Sequence, residues 1–469
     1  MAADSRLDLA ETHEIHIVGI GGAGMSAIAR VLHGWGKSVH GSDRRSSPIT
    51  EALQAEGIAV TVGHAAENIA GAELVLASSA VPDTNPELAA ARERGIRVAR
   101  RPEFLPELTS GCDVIAVAGA HGKTTVTGMT ASVLLAAGLD PTYIVGGVVL
   151  NLQTNGYAGS GRHFVIEADE YRRTFLALSP TVAVITNVEF DHPDCYPSLR
   201  HLRLAFGEFV ENIVPGGVLI ACGDDPVAHE IAASYSATGG RVVLYGMGTE
   251  AEYAWHARDI ATNAAGGLSF TAVHEDEVVG RFDLQVPGEF NVVNALAVLG
   301  VAAELGIDRQ VMRQALQAYT GTARRFEILG EADGVTVIDD YAHHPTQIRG
   351  VLRAARRRYG ERRLVAVWEP HTFSRIRALR EEFMTSFGVA DQVLVMPIYA
   401  AREIDDGSLT AQDLAVVHHA VQVAASLDDA VARLAAGTRP GDVVMLMGAG
   451  SEYIVGRRLV DLLRQRELA

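Results

Sequence analysis

DVIAVAGAHGKTTVTGMTASVLLAAG, residues 113–138, decides how this chain is read. The apolar run at 114–118 predicts a short buried strand. A glycine-bearing turn follows, and the small-residue stretch after Lys123 predicts a helix. Strand, glycine turn, Lys-Thr-Thr and helix are the layout of a phosphate-binding loop. In such a loop backbone N–H groups and the helix N-terminus hold phosphate oxygens. Gly119, Ala120, His121, Gly122 and Lys123 form the turn, and a hydroxyl of Thr124 or Thr125 completes a magnesium site. The loop is shortened: the usual pattern would put its first glycine at position 117, which is Val117, and the glycine stands at Gly119.

Lys123 carries further weight. Lys plus Arg number 40, and only Lys37 and Lys123 are lysine. A lysine kept where arginine has been used nearly everywhere else marks a place for a compact ammonium. A planar, forked guanidinium is too bulky among phosphate oxygens and backbone amides.

A length of 469 residues predicts two to four domains. The hydrophobic share of 48% and the abundant glycine suit an α/β enzyme. The net charge of −17 argues against nucleic acid as the main partner, because a phosphate polymer needs a basic face. Small anionic ligands remain open, since they are gripped locally. Cys112, Cys195 and Cys222 are scattered, with neither metal spacing nor a disulfide framework, as expected in a reducing cytoplasm. The acidic, polar N-terminus reads as no signal peptide, and no apolar stretch is long enough to span a membrane.

Upstream, EIHIVGIGGAGMSAIARVLHGWGKSVHGSD predicts a strand, the turn Gly19-x-Gly21-x-x-Gly24, a helix and a second strand ending near Asp43. That is the dinucleotide-type βαβ fingerprint, with an acidic residue about twenty positions on. Further βα units follow at GIAVTVG, LVLASSAV and IRVAR. RRPEFLPELTSGCD (100–113), with two prolines and a charge cluster, predicts a linker. Downstream, strands and Ala-rich helices are expected to alternate as far as QALQAYTGTARRFE. A third block then places strands at VTVIDDY, RLVAVWEP, DQVLVMP and GDVVMLMGAG. Its polar residues His343, His344, His371 and the Gly448–Gly450 turn fall at carboxyl strand ends, where α/β sheets bind ligands. The boundaries are expected at 1–108, 109–322 and 323–469.

Glu167-Ala-Asp169-Glu170 ends one strand beside the phosphate loop, and Asn187, Asp191 and His192 end the next. Carboxylates and an imidazole at adjacent strand ends make a divalent metal site.

AGAHGKTT, EADEY, NVEFDHPD, GEFNVVNALA, RRFE, DDYAHHPTQI and WEPHTFSR occur in the order found in Mur ligases. The chain resembles that family from about Ile15 to Leu463, and within it the alanine-adding, MurC-type branch. The resemblance implies a three-domain α/β fold: a Rossmann-like UDP-binding domain, a central P-loop ATPase-type domain and a Rossmann-like C-terminal domain bringing the amino acid. It implies an ATP- and Mg2+-dependent ligase, acting in the cytoplasm as monomer or homodimer. The lactyl carboxylate of UDP-N-acetylmuramate would take the γ-phosphoryl group, and L-alanine would attack the acyl phosphate. By resemblance Gly19, Gly21, Gly22, Ala23 and Gly24 cradle a UDP diphosphate in place of NAD. Lys123 grips the β- and γ-phosphates, Thr124 holds magnesium, and Glu167 and His192 hold the metal between phosphate and carboxylate. Asn291 and Asn294 read adenine, Arg325 contacts phosphate and Asp340 the ribose. Tyr341, His343, His371 and Arg375 line the amino-acid end, with Arg375 as carboxylate partner. A hinge is expected near residues 319–325.

The chain departs from the wider family at four places. It lacks the carbamoylated lysine many members place beyond the residue matching His192, as alanine-adding members tend to. Phe290 stands where histidine is common, Glu189-Phe190 replaces smaller or acidic residues, and Thr372 replaces a second arginine. Three other readings account for less of the sequence: a nicotinamide dehydrogenase leaves the phosphate loop unexplained, a P-loop module that switches without making a bond leaves DDYAHHP unexplained, and a sister ligase recycling a murein tripeptide is disfavoured by HTFSR.

Overall fold

In a computed structural model of the chain, residues 9–248 and 253–468 are described. Three sheets organise them. The first contains β1 (Glu14–Val18), β2 (Ser38–Asp43), β3 (Ala59–Val62), β4 (Leu74–Ala77) and β5 (Arg97–Arg100). All its pairings are parallel, in the order β3-β2-β1-β4-β5. Helices α1 (Ala23–Gly34), α2 (Pro48–Ala55), α3 (Pro86–Glu93) and α4 (Arg101–Leu108) connect and cover it. Every residue of β4 is buried, which is why it reads as an unbroken apolar run. The strand order reverses beside β1, so a crevice opens where α1 leaves the sheet.

Helix α4 corrects the sequence reading of 100–113 as a linker. Its first proline, Pro102, lies in the opening turn, where a missing N–H costs nothing. Glu103 caps that turn by accepting the Arg100 N–H at 2.8 Å. Phe104, Leu105 and Leu108 are buried, and this apolar face outweighs Pro106 within a helix of only 8 residues.

The central sheet has β6 (Asp113–Ala118), β7 (Thr142–Val149), β8 (Thr154–Tyr157), β9 (His163–Glu167), β10 (Val182–Ile185), β11 (Val218–Cys222), β12 (Arg241–Gly246), β13 (Trp255–Thr262), β14 (Leu268–His274) and β15 (Glu277–Asp283). Their order is β15-β14-β13-β12-β11-β10-β6-β9-β7-β8. The stretch from β13 to β7 is parallel and both edges are antiparallel. Its helices are α5 (Lys123–Ala136), α6 (Leu199–Glu211), α7 (Pro226–Ala237), α8 (Glu289–Glu304) and α9 (Arg309–Ala318). Residues 124–134 of α5 are all buried, because the helix packs among α8, α9 and β7. The β13–β15 meander departs from the expected alternation of strands and helices.

The third sheet holds β16 (Glu327–Ala332), β17 (Val335–Asp340), β18 (Leu364–Trp368), β19 (Gln392–Val395), β20 (Val421–Val423) and β21 (Val443–Met447), ordered β16-β17-β21-β18-β19-β20. Only β16 is antiparallel to its neighbour. Helices α10 (Pro345–Tyr359), α11 (Phe373–Ala378), α12 (Arg380–Met384), α13 (Leu427–Gly437) and α14 (Glu452–Leu468) flank it. The crossing into this unit is strapped to β7: Leu150 N–H donates to Gly321 O at 2.9 Å and Ala323 N–H to Val148 O at 2.8 Å. The expected hinge segment is thus tied to β7 as far as residue 323.

Candidate active site

Residues from all three sheets meet around one cleft of about 730 Å3, whose wall includes Gly21, Lys123, Glu167, His192, Tyr341 and Arg375. A second cavity of about 440 Å3 shares the phosphate loop and is lined by Asn291, Asn294, Arg325 and Asp340.

The loop leaves β6 as expected. Gly119 has φ 139°, and a Cβ there would lie 2.0 Å from Thr186 Oγ1. Gly122 has φ 84°, and a Cβ there would lie 2.5 Å from Asn294 Oδ1. Only glycine fits either place. Asn187 braces the turn: it accepts the His121 N–H on Oδ1 at 2.9 Å, and its amide donates to His121 O at 3.1 Å. No side chain caps α5, so the N–H groups of its first turn open on the cleft, an anion site by geometry.

Lys123 Nζ donates to Glu170 Oε2 at 2.8 Å and Oε1 at 3.0 Å, and also to Gly119 O. Burial opposes its charge, but Glu170, Asp169 and Glu167 outweigh that and raise its pKa, so the ammonium stays charged. Thr124 and Thr125 are buried at the start of α5. Glu167 accepts the Gly146 N–H at 2.8 Å. His192 Nε2 lies 3.5 Å from Glu170 Oε1 and 3.9 Å from Asp191 Oδ2. Burial lowers the His192 pKa, and Asp191 and Glu170 more than restore it. The structure therefore brings Glu170, more than Glu167, to both Lys123 and His192, while all of them line the cleft. A hydroxyl, two carboxylates and an imidazole beside an uncapped helix fit a hard divalent cation and the phosphates it would accompany.

Asp191, grouped in the sequence with His192 as a candidate metal carboxylate, is instead the hub of an ion-pair cluster. It accepts Arg375 Nε–H at 2.7 Å, and both side chains are 4% exposed. Burial opposes its charge, yet Arg375 and His192 hold its pKa well below the usual range. Arg375 Nη1 lies 2.8 Å from His371 Nδ1, and His343 Nε2 lies 3.8 Å from Asp191. Burial and neighbouring positive charge push His343 to about 3 and His371 to about 2, so both imidazoles are neutral.

On the other face of β17, Asp340 accepts the N–H groups of Phe326 and Ala342, both at 2.8 Å. Burial raises it to about 6 against the pull of Arg325. Asn291 Nδ2 donates to Pro287 O at 2.7 Å, and Asn294 Nδ2 to Asn291 Oδ1 at 3.1 Å. The Arg325 guanidinium lies 5.0 Å over the Tyr341 ring, and that of Arg324 lies 4.9 Å from it. Phe290 forms part of this second wall.

At the glycine turn, Gly21, Ala23 and Gly24 line the cleft, while Gly19 and Gly22 shape it through a 3.2 Å bond from Gly22 N–H to Gly19 O. Asp43, the acidic residue at the end of β2, accepts the Gly21 N–H at 2.9 Å. Arg101, from α4, reaches within 3.0 Å of a Cβ built on Gly24, and its Nε has no partner. No motif marked it. Its clue was a cation directly after a strand that ends opposite the turn.

Family models match the chain in three successive pieces: the Mur ligase family catalytic domain at 14–113, the Mur ligase middle domain at 117–302, and the Mur ligase glutamate ligase domain at 324–450. The chain belongs to the Mur ligase family. Similar proteins include the UDP-N-acetylmuramate–L-alanine ligases of Kineococcus radiotolerans, 44% identical with 98% of each chain covered, and of Frankia casuarinae, 42% identical over 96% of this chain and 98% of that one. The crystal structure of UDP-N-acetylmuramate–alanine ligase MurC from Thermotoga maritima is 29% identical, covers 97% of this chain and 99% of that one, and superposes with a TM-score of 0.81. A murein peptide ligase from Psychrobacter arcticus is 26% identical, with 96% of this chain covered and a TM-score of 0.74. In this Mur ligase the phosphate loop, the acidic strand ends and the histidine-bearing turns of the third sheet thus occupy one cleft.

Proposed function

We propose that this Mur ligase is an ATP-dependent enzyme that joins L-alanine to the lactyl carboxylate of UDP-N-acetylmuramate, a cytoplasmic step in peptidoglycan precursor synthesis. The observation that carries the reading is the single cleft that joins glycine turn, phosphate loop and the Arg375 cluster, in a chain similar over nearly its full length to ligases of that name. The spans 1–108, 109–322 and 323–469 would bind UDP-sugar, ATP and amino acid. Gly21, Gly24 and Arg101 would hold the diphosphate, with an uncapped α1 behind them. Asn291, Asn294 and Asp340 would hold the nucleoside, and Arg325 its phosphates.

The carboxylate must approach a triphosphate, and two anions need cationic help at contact distance. Lys123 supplies it once phosphate displaces Glu170 from its ammonium. Magnesium, held by Thr124, Glu167 and His192, would neutralise phosphate charge. Arg375 would fix the alanine carboxylate so that the amine faces the acyl phosphate. The amine nitrogen would attack the acyl carbon, the carbon–oxygen bond to phosphate would break with its electrons leaving on phosphate, and the nitrogen would release a proton to give the amide.

The test is phosphate release from the purified chain. It is expected only when UDP-N-acetylmuramate and L-alanine are both present. Release with a murein tripeptide and none with alanine would instead make the chain a recycling ligase.

Glu167→Ala and His192→Ala are each expected to lower turnover about a hundredfold and to raise the magnesium requirement. The double variant should be no more than about threefold worse than either, since groups serving one ion act as a unit. Turnover losses that simply multiply would show that they serve different steps.

A further inference from the structure

We infer that His121, Glu189 and His344 form a binding site for a divalent transition cation of the zinc type, built across the seam between the phosphate loop and the third unit. His121 lies in the loop, Glu189 follows β10, and His344 is the N-cap residue of α10. His121 Nε2 is 2.8 Å from Glu189 Oε2, and His344 Nδ1 is 3.5 Å from that same oxygen. The three donor atoms all lie within 4.8 Å of one another, the one such group of His, Cys, Asp or Glu among the described residues. Donors around a tetrahedral zinc stand roughly 3.4 Å apart, given metal–ligand bonds near 2.1 Å. The 2.8 Å pair would open and the widest pair, at up to 4.8 Å, would close by about 1.4 Å.

The protons show why a cation fits. Gln347 Oε1 accepts the N–H groups of His343 at 3.0 Å and His344 at 3.2 Å. Its amide nitrogen is therefore the atom 2.9 Å from His121 Nδ1, and it donates there. The ring proton of His121 accordingly sits on Nε2 and points to Glu189. In His344, Nε2–H donates to Phe190 O at 3.2 Å, and Nδ1 accepts the Thr346 N–H at 3.3 Å as the cap of α10, a long bond that an ion would have to displace. That nitrogen and a carboxylate oxygen, both acceptors, thus face each other at 3.5 Å with no hydrogen between them. His344 is only 2% exposed, so water does little to relieve the pair. An imidazole whose other nitrogen donates to a backbone carbonyl is oriented as metal-binding histidines are. Thr346 Oγ–H holds the second Glu189 oxygen at 2.6 Å. His121 lines both cavities, which gives an ion its way in.

Two imidazoles and one carboxylate suit zinc or cobalt, whereas magnesium prefers oxygen. On binding, the His121 proton moves from Nε2 to Nδ1, so that Nε2 can ligate. That proton then meets the Gln347 amide, which opposes binding. Glutamate at 347 would remove the opposition: one oxygen would keep the backbone N–H groups and the other would accept from His121 Nδ1. A bound ion would clamp the third unit on the phosphate loop and slow any turnover that needs them to part. The site itself does not depend on which amide the enzyme makes.

The test is titration of the full chain with Co2+ in excess Mg2+, read by the visible absorption of four-coordinate cobalt. One equivalent is expected to bind. Glu189→Gln and His344→Asn should each weaken binding by at least tenfold, and Gln347→Glu should strengthen it about tenfold. Thermal melts of each variant check the fold. Absence of the four-coordinate spectrum in the unmodified chain would overturn the site. So would a spectrum and affinity unchanged in both weakening variants, which would place the ion elsewhere, for example at His418 and His419.

Discussion

Lys123→Arg is expected to abolish ligation, lowering turnover at least a thousandfold, which is about 4 kcal/mol of transition-state stabilisation. The charge is kept, so the loss would come from shape. Nζ sits in a buried corner bounded by Gly119 O and both oxygens of Glu170, with the loop backbone held by Asn187. A three-donor ammonium can exchange Glu170 for phosphate oxygens without moving the loop. A guanidinium needs a plane of space that Gly119 and Gly122, each closed against side chains, leave no room to open. Stability should change little, because arginine can still pair with Glu170. Phosphate release and a thermal melt measure the two quantities. Retention of more than about a tenth of turnover, with an unchanged melt, would mean that the ammonium does not touch the reacting phosphate.

That residue was legible from sequence because one strand, one turn and one helix carry the whole signal within residues 113–138. The first sheet was legible for a similar reason: its central strands β1 and β4 are buried apolar runs, and β1 is followed directly by the glycine turn. Helix α4 was not, because Pro102 and Pro106 read as breakers, and only burial of Phe104, Leu105 and Leu108 decides otherwise. The β14–β15 hairpin was missed because its two-residue turn is Glu275-Asp276, with φ of 46° and 68°. Both residues adopt the left-handed conformation without the glycine that normally announces such a turn. The polar network was hidden by distance along the chain. Asp191 and Arg375 lie 184 residues apart, and His121 and Gln347 lie 226 apart, so no local spacing could pair them.

Those long-range pairs also determine what the third unit does. Arg375, His343 and His344 all reach across to the segment after β10, so the unit is seated on the phosphate-loop side of the cleft. The seat is polar and partly charged, hence separable by ligands that compete for the same groups. Glu170 on Lys123 places a carboxylate where the proposed reaction would bring phosphate, whereas Asp191 backs Arg375 from the Nε side.

Arg375→Lys is accordingly expected to raise the KM for L-alanine at least a hundredfold, about 3 kcal/mol, with little change in the KM for ATP. The guanidinium is already committed on two sides, Nε to Asp191 at 2.7 Å and Nη1 to His371 at 2.8 Å. Its remaining edge is what a substrate carboxylate would meet in the cleft. Lysine has one nitrogen and cannot hold Asp191 and a carboxylate in a fixed plane. Thr372 offers no second cation beside Arg375 on the same turn. Asp191→Asn probes the same fork from behind. It leaves the 4%-exposed Arg375 without its counter-charge, and breaking a buried pair this way costs about 3–5 kcal/mol. That loss should appear as a lower melting temperature together with a raised alanine KM. The two arms separate recognition from docking. If Arg375 only ties the units together, Arg375→Lys would lower stability and turnover while the alanine KM stayed near its original value, and the carboxylate assignment would fall. If it reads the substrate, glycine and alanine should suffer equally in the lysine variant, because both present the same carboxylate and differ only by a methyl group that Arg375 does not need to touch.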